Sequence, residues 1–329
     1  MTRQRFQAIY VESRAAGYKL TSQIIARLPQ CPVIPIRHYK DVFNRSNQDI
    51  RWQKDYPCLI LAVKDAPFVY TGSRICQHFG HDRFFYSNLM LGCPFDCSYC
   101  YLQGLYPSAN QVIFVNLQDF TAAFSELGRD PVYLALSHDA DMLASHSFAP
   151  LLDDLAGTLD AKLPLLAEIR TKSAVRDYFL KHDPFPLFIF AFTLAPDSVI
   201  DRYERKTPPL AARLATVKTA LSRGHAVRLC FDPILIDPQV DEAYLPFFRD
   251  LFQEIDPAEI VDVSYGFFRM SSQFYQRIAR IRPTNLLYQE IACGQEPFVT
   301  YAAEKREAIS RQHLALLHNL LGPERVFLD

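Results

Sequence analysis

Residues 92–103 read GCPFDCSYCYLQ. Cys93, Cys97 and Cys100 stand at C-x3-C-x2-C spacing, and no fourth cysteine lies beside them. The thiolate is the ligating form of cysteine, so three of them in one short loop can hold a soft metal ion or an iron–sulfur cluster. A structural zinc site wants four closed ligands, often as two paired knuckles. The chain has no second C-x2-C pair, and the nearby histidines are His78 and His81. A four-iron cluster normally takes four cysteines. Three would leave one iron open, which is a place for cofactor or substrate chemistry. Zinc and cluster both stand on these residues alone.

Working outward from the loop, apolar runs of strand character alternate with runs of helical period. PVYLALS (131–137), LPLLAEIRT (163–171), FPLFIFAFTLA (185–195), AVRLCFDPIL (226–235) and EIVDVSYGFFRM (259–270) read as strands. Between and after them HSFAPLLDDLAGTL, SAVRDYFLKH, PPLAARLATVKTALSRG, DEAYLPFFRDLFQEI and SSQFYQRIARI read as helices. Strands this continuously apolar suit a parallel sheet covered on its faces. With FFYSNLML (84–91) leading into the cysteine loop, the pattern gives six β/α units. That is an α/β barrel or partial barrel, whose site belongs at the C-terminal ends of the strands. The loop follows the first strand, so it falls at that end.

The first 80 residues are less regular, and they read as a small N-terminal α/β appendage, leaving residues 81–329 for the barrel and a C-terminal extension. The polar run 40–55 reads as an exposed loop, and 302–322 as an amphipathic C-terminal helix.

Composition limits the rest. The chain has 329 residues, nearly half hydrophobic, with a net charge of −1. A neutral chain carries no overall electrostatic footprint for nucleic acid or an anionic membrane. No apolar stretch reaches membrane-spanning length, and MTRQRF opens without an apolar run behind it. A cytoplasmic protein with no membrane partner is expected. In a reducing compartment, disulfides are not the purpose of its cysteines. Cys31, Cys58, Cys76, Cys230 and Cys293 are scattered singly and read as small core hydrophobes.

C-x3-C-x2-C with an aromatic residue before the last cysteine resembles the signature of the radical S-adenosylmethionine (SAM) enzymes. The resemblance implies a partial (β/α)6 barrel. It implies a [4Fe-4S] cluster on Cys93, Cys97 and Cys100, with SAM on the open iron and reductive cleavage to a 5′-deoxyadenosyl radical. It also implies an electron donor such as flavodoxin or ferredoxin. GCPFDCSYCYLQ with the following VIFVNLQDF, together with IYVESRA, EIRTKS, YERKTPPLAARLATV, FDPILID and SYGFFRMS, is similar to the spore photoproduct lyase family in particular. These stretches run across nearly the whole chain. That family repairs a thymine dimer in DNA, so lesion-bearing DNA is the implied partner. A relative acting on another substrate, and a non-catalytic cluster- or zinc-binding protein, are the alternatives.

Carried over by motif, Lys172 is the lysine that reaches the SAM carboxylate. Tyr99 and Tyr101 flank the last cysteine, beside SAM and on the radical's path. Arg269 is the strand-end arginine near the site, and Thr193 stands where the family has an asparagine that contacts SAM. Asp232 stands where the family has a small residue and reads either as a ribose-hydroxyl ligand or as a helix-end or turn residue; Asp139 and Asp141, beside Ser137 and His138 at a strand end, read as contacts to SAM or substrate or as caps of the next helix. Two departures matter. The family's hydrogen-donor cysteine follows the second strand, but here the segment LALSHDADMLA (134–144) holds none, and His138 falls near its place. Cys230 and Tyr101 are the substitutes. The family's basic hairpin corresponds to RPTNLLYQEIACGQEPFVTY (282–301), which is nearly free of positive charge. Arg202, Arg205, Lys206 and Arg213 are then the residues left to grip phosphate.

Overall fold

A computed structural model describes residues 6–73, 76–128, 130–282 and 297–328. Its centre is an eight-stranded sheet. Phe84–Tyr86, Val132–Ala135, Leu165–Thr171, Phe188–Thr193, Ala226–Ile234 and Val263–Phe267 lie side by side, all parallel. These are the six strands expected of the partial barrel, and the mixed α/β architecture is as the alternating pattern requires. Val132–Ala135 and Phe188–Thr193 are buried at every position, which explains their unbroken apolar sequence.

The sheet goes further than the sequence reading at both edges. Val326–Leu328, after the long helix Ala303–Leu321, adds a seventh parallel strand beside Val263–Phe267. Tyr70–Thr71 pairs antiparallel with Phe84–Tyr86 at the other edge. The stretch 84–91 is not one strand. Phe84–Tyr86 joins the barrel, whereas Met90–Leu91 pairs antiparallel with Gln111–Phe114 in a second sheet. That second sheet also holds Ile9–Glu12, Val33–Ile36 and Leu59–Ala62. The chain thus crosses from one sheet to the other just before the cysteine loop.

The run 40–55, expected as an exposed loop, is largely helical: Lys40–Phe43 and Ile50–Asp55. Asp49 caps the second helix by accepting from the Trp52 amide at 3.0 Å. Phe43, Ile50 and Gln53 turn inward and are buried, so the run is amphipathic despite its polar composition.

The barrel interior is ionic. Arg228, 1% exposed, reaches Glu168 at 3.2 Å and Asp262 at 2.7 Å, while Arg170 bridges Glu168 and Asp232 at 3.1 and 3.2 Å. Inward residues of neighbouring strands supply both signs, so the buried charges compensate one another. No described helix is long and apolar enough to cross a membrane.

Candidate active site

Gly92 opens the cysteine loop with φ +82°, and a Cβ there would lie 2.4 Å from the Asn110 carbonyl oxygen. Only glycine makes that turn against a backbone so close. The loop is then held from four directions. Lys54 Nζ, on the short helix Ile50–Asp55, donates to the carbonyls of Cys93 and Phe95 at 2.9 and 2.5 Å. Asp96–Cys97 pairs antiparallel with Glu204–Arg205, and the Ser98 amide donates to the Tyr203 carbonyl at 2.7 Å. Gln103 Nε2 donates to the Cys97 carbonyl at 2.8 Å. Arg282 donates to both Gln103 and Asp96.

Cys97 is buried, and Cys93 and Cys100 are half-buried. The three thiols are mutually close enough for each one's charge to act on another. Burial, reinforced by the Asp141 carboxylate, pushes the Cys93 thiol up to about 12. Burial, then Glu204, pushes Cys97 well up too. Uncompensated thiolates are therefore disfavoured here, so the charged form of the loop needs a cation beside it. Among the described residues, His146, Asp153 and His182 form a separate group whose ligating atoms lie within 4.8 Å of one another.

One wall of the loop is an ion-pair group. Arg213, fully buried, donates to Glu204 at 2.5 Å, to the Thr193 carbonyl at 3.1 Å and to the Pro208 carbonyl at 3.0 Å. Glu204 also accepts from the Tyr99 hydroxyl. Lys172, just past the strand Leu165–Thr171, holds its Nζ 5.4 Å from the Tyr99 ring centroid. Burial alone would lower its pKa; Glu204 and Cys97 outweigh that and hold the ammonium charged. The structure therefore joins Cys97, Tyr99, Lys172, Thr193, Glu204 and Arg213 into one wall. It corrects the reading of Arg213: with no exposure, it braces the loop and cannot grip a phosphate. Arg202 pairs with Asp237 at 2.8 Å and Lys206 with Asp55 at 2.7 Å, leaving Arg205 the most exposed of the four.

The other wall gathers around His138. The Tyr101 hydroxyl donates to the His138 carbonyl and lies 3.2 Å from Asp139 Oδ1. Tyr106 donates to Asp139 Oδ2 at 2.6 Å. His138 Nδ1 is 2.9 Å from Asp139 Oδ1, and its ring stacks on Tyr86 at 4.3 Å. Burial would lower the imidazole's pKa, but hydrogen bonds to Asp139 and Cys76 win and raise it to about 9. Asp141 has turned elsewhere. It caps the helix Met142–Ser145 through the Ala144 amide and accepts from Thr171 and from the Lys172 amide. Ser137 Oγ and Asn88 Oδ1 are buried without hydrogen-bond partners, on residues bridged to one another beside this wall.

Asp232 is drawn into the interior network by Arg170. Arg269 begins the strand Arg269–Ser271, which pairs with Phe298–Thr300. Cys230 is fully buried, and Cys31 is buried as expected of a core thiol. Cys58 and Cys76, both expected in the core, are only half-buried, and Cys76 belongs to the His138 wall. Cys293 and most of the 282–301 segment lie outside the described residues. Sequence reading missed Lys54, Tyr86, Tyr106 and Glu204. Lys54 and Glu204 reach the site from distant segments, while Tyr86 and Tyr106 flank the loop and carry no signal that tells them from packing aromatics.

The sequence matches no protein-family model and no curated protein. Solved structures do match. A cysteine-to-alanine mutant of spore photoproduct lyase superposes with a TM-score of 0.81 at 17% identity, over 98% of each chain. Spore photoproduct lyase complexed with dinucleoside spore photoproduct gives 0.79 over the same shares. So does a double mutant, alanine for cysteine and cysteine for serine, with bound AdoMet and dinucleoside spore photoproduct, at 16% identity. The chain has the spore photoproduct lyase fold. Its curled sheet is thus a partial barrel, the fold that the motif-based resemblance implied.

Proposed function

We propose that the chain is a radical SAM enzyme of the spore photoproduct lyase kind. The observation that carries this reading is the loop bearing Cys93, Cys97 and Cys100. It is clamped through its backbone at the mouth of a parallel half-barrel, and it brings three thiols together at C-x3-C-x2-C spacing with no fourth cysteine beside them. The donor set fits an iron–sulfur cluster held by three thiolates, and the unpartnered Ser137 Oγ and Asn88 Oδ1 fit a polar ligand beside it. When bound, the cluster and SAM supply a primary carbon radical.

The chain's own groups do the rest. Lys172, charged and half-buried, supplies a cation for the SAM carboxylate. Tyr99, locked by Glu204, and Tyr101, locked by His138 and Asp139, are held neutral by burial, so each keeps a hydroxyl hydrogen beside the cysteine loop. Asp139 binds Tyr101, Tyr106 and His138 at once and fixes all three. Asp141 orients the Lys172 backbone. Thr193 joins the Arg213 wall through its carbonyl, and Arg269 and the Arg170-paired Asp232 come from the later strands.

The substrate in this reading is a thymine lesion of the dinucleoside spore photoproduct type. A second reading, a relative with another substrate, draws on the phosphate-gripping candidates: Arg213 is buried, and Arg202 and Lys206 are engaged by acids. Incubating the reconstituted, reduced protein and SAM with dinucleoside spore photoproduct separates the two. Thymine recovery supports the lesion; 5′-deoxyadenosine without repair supports the second reading.

A further inference from the structure

A second constellation lies in the helical layer, apart from the cysteine loop. His146 follows the short helix Met142–Ser145, Asp153 lies in the helix Leu151–Thr158, and His182 follows the helix Arg176–Lys181. Asp153 Oδ1 is 3.1 Å from His182 Nε2 and 3.9 Å from His146 Nδ1. One ligating atom from each of the three residues lies within 4.8 Å of the other two. Yet His146 Nδ1 and Asp153 Oδ1 are both buried with no hydrogen-bond partner. The 3.1 Å approach of His182 is therefore a contact without hydrogen-bond alignment. Buried polar atoms of a folded chain ordinarily have partners. Here two that lack one converge with a third on a single point.

The ring chemistry indicates what that point is for. His182 Nδ1 stands 2.8 Å from the Tyr178 carbonyl oxygen, which can only accept, so Nδ1 carries a proton. The neutral ring then turns the lone pair of Nε2 toward Asp153. A histidine whose one nitrogen donates to a backbone carbonyl and whose other nitrogen is free is the usual form of a metal ligand. The Tyr178 ring stacks on His182 at 4.5 Å and meets His146 edge-on at 4.9 Å, so one aromatic side chain orients both imidazoles. Lys181, next to His182, is paired with Asp177 at 3.6 Å and is not the cation that Asp153 lacks.

We infer that His146, Asp153 and His182 bind a divalent transition-metal ion of the zinc class, at a site independent of the cysteine loop and of the reaction proposed for it. Two imidazole nitrogens and one carboxylate oxygen select such an ion over calcium or magnesium, which take oxygen ligands. Tetrahedral zinc with nitrogen and oxygen ligands sets them about 3.3 Å apart. The 3.1 Å edge already fits, and a small turn of His146 closes the 3.9 Å edge. Three protein ligands leave a fourth position. It opens toward solvent, since the Asp153 and His182 side chains are 34% and 32% exposed. The ion ties together helices of four, eight and six residues, each too short to be stable alone.

Zinc titration of the metal-free, full-length chain tests this, with bound metal counted after dialysis. Wild type is expected to retain one more zinc per chain than D153N or H182A, whatever the cysteine loop itself takes up. Losing a ligand should weaken that zinc by more than the roughly 10–100-fold that losing an outer partner costs. Equal zinc in the wild type and both folded variants overturns the inference. Circular dichroism of the metal-free proteins shows whether the variants fold. Should either fail to, NMR of the histidine ring nitrogens in the wild type decides. Zinc is expected to give two histidines a metal-bound nitrogen. Zinc uptake with no histidine nitrogen bound to it places the metal on the cysteines alone and overturns the site.

Discussion

Replacing Arg213 by methionine strands one carboxylate. Glu204 has 1% of its side chain exposed, and Arg213, at 0%, is its ion-pair partner at 2.5 Å. The same guanidinium satisfies the Thr193 and Pro208 carbonyls and the Thr207 hydroxyl. Removing one member of a buried pair costs about 3–5 kcal/mol, because the surviving charge has lost its compensation. Lys172 is near enough to interact with Glu204, which sets the expected loss toward the lower end. Urea unfolding of iron-free R213M should show that loss in the midpoint with the slope unchanged. R213M/E204Q should recover a large part of it, since the neutral amide no longer needs a cation. The consequence reaches the site: Glu204–Arg205 is the strand that pairs with Asp96–Cys97, so R213M should also hold less iron after reconstitution. A loss below about 1 kcal/mol, or a double variant no better than the single one, refutes the reasoning.

Gly92→Ala puts a Cβ 2.4 Å from the Asn110 carbonyl oxygen at φ +82°, so a destabilisation of about 1–3 kcal/mol and reduced iron content are expected from calorimetry and iron assay. Asp139→Asn removes the hydrogen bond that outweighs burial at His138; in NMR titration its pKa should fall from about 9 toward or below the ordinary value. The sign of the pH effect follows. A folded pKa raised above the unfolded one, near 6.5, gives stability that is full below that value and is lost as pH rises through about 9. Wild type should therefore lose more stability than D139N over that window. Lys172→Met should weaken SAM binding by about 10–100-fold, the worth of a charge-assisted pair, measured by calorimetric titration.

Cysteine spacing was legible because coordination chemistry is local: three thiols within eight residues need no tertiary knowledge. The barrel strands were legible because a parallel sheet covered on both faces demands unbroken apolar runs. The pairing of distant charges was not. Arg213 on an amphipathic helix looks like Arg202 or Arg205 until the fold buries it against Glu204. The run 40–55 hid Lys54, since the polar triplet Gln53–Lys54–Asp55 looks solvated whatever it touches. Val326–Leu328 is too short to stand out from its terminus. Cys76 looked like one more scattered core thiol, because nothing in its neighbourhood announces His138, which lies 62 residues on in the sequence.

The central claim is that Cys93, Cys97 and Cys100 hold a cluster that cleaves SAM. Its most direct test is anaerobic reconstitution with iron and sulfide, followed by SAM and dithionite, with metal analysis and chromatography of the products. A brown protein with roughly four irons per chain that forms 5′-deoxyadenosine is the predicted result, with both properties lost when the three cysteines are changed to serine. A colourless protein that takes up a single zinc ion on the same cysteines and forms no 5′-deoxyadenosine would contradict it.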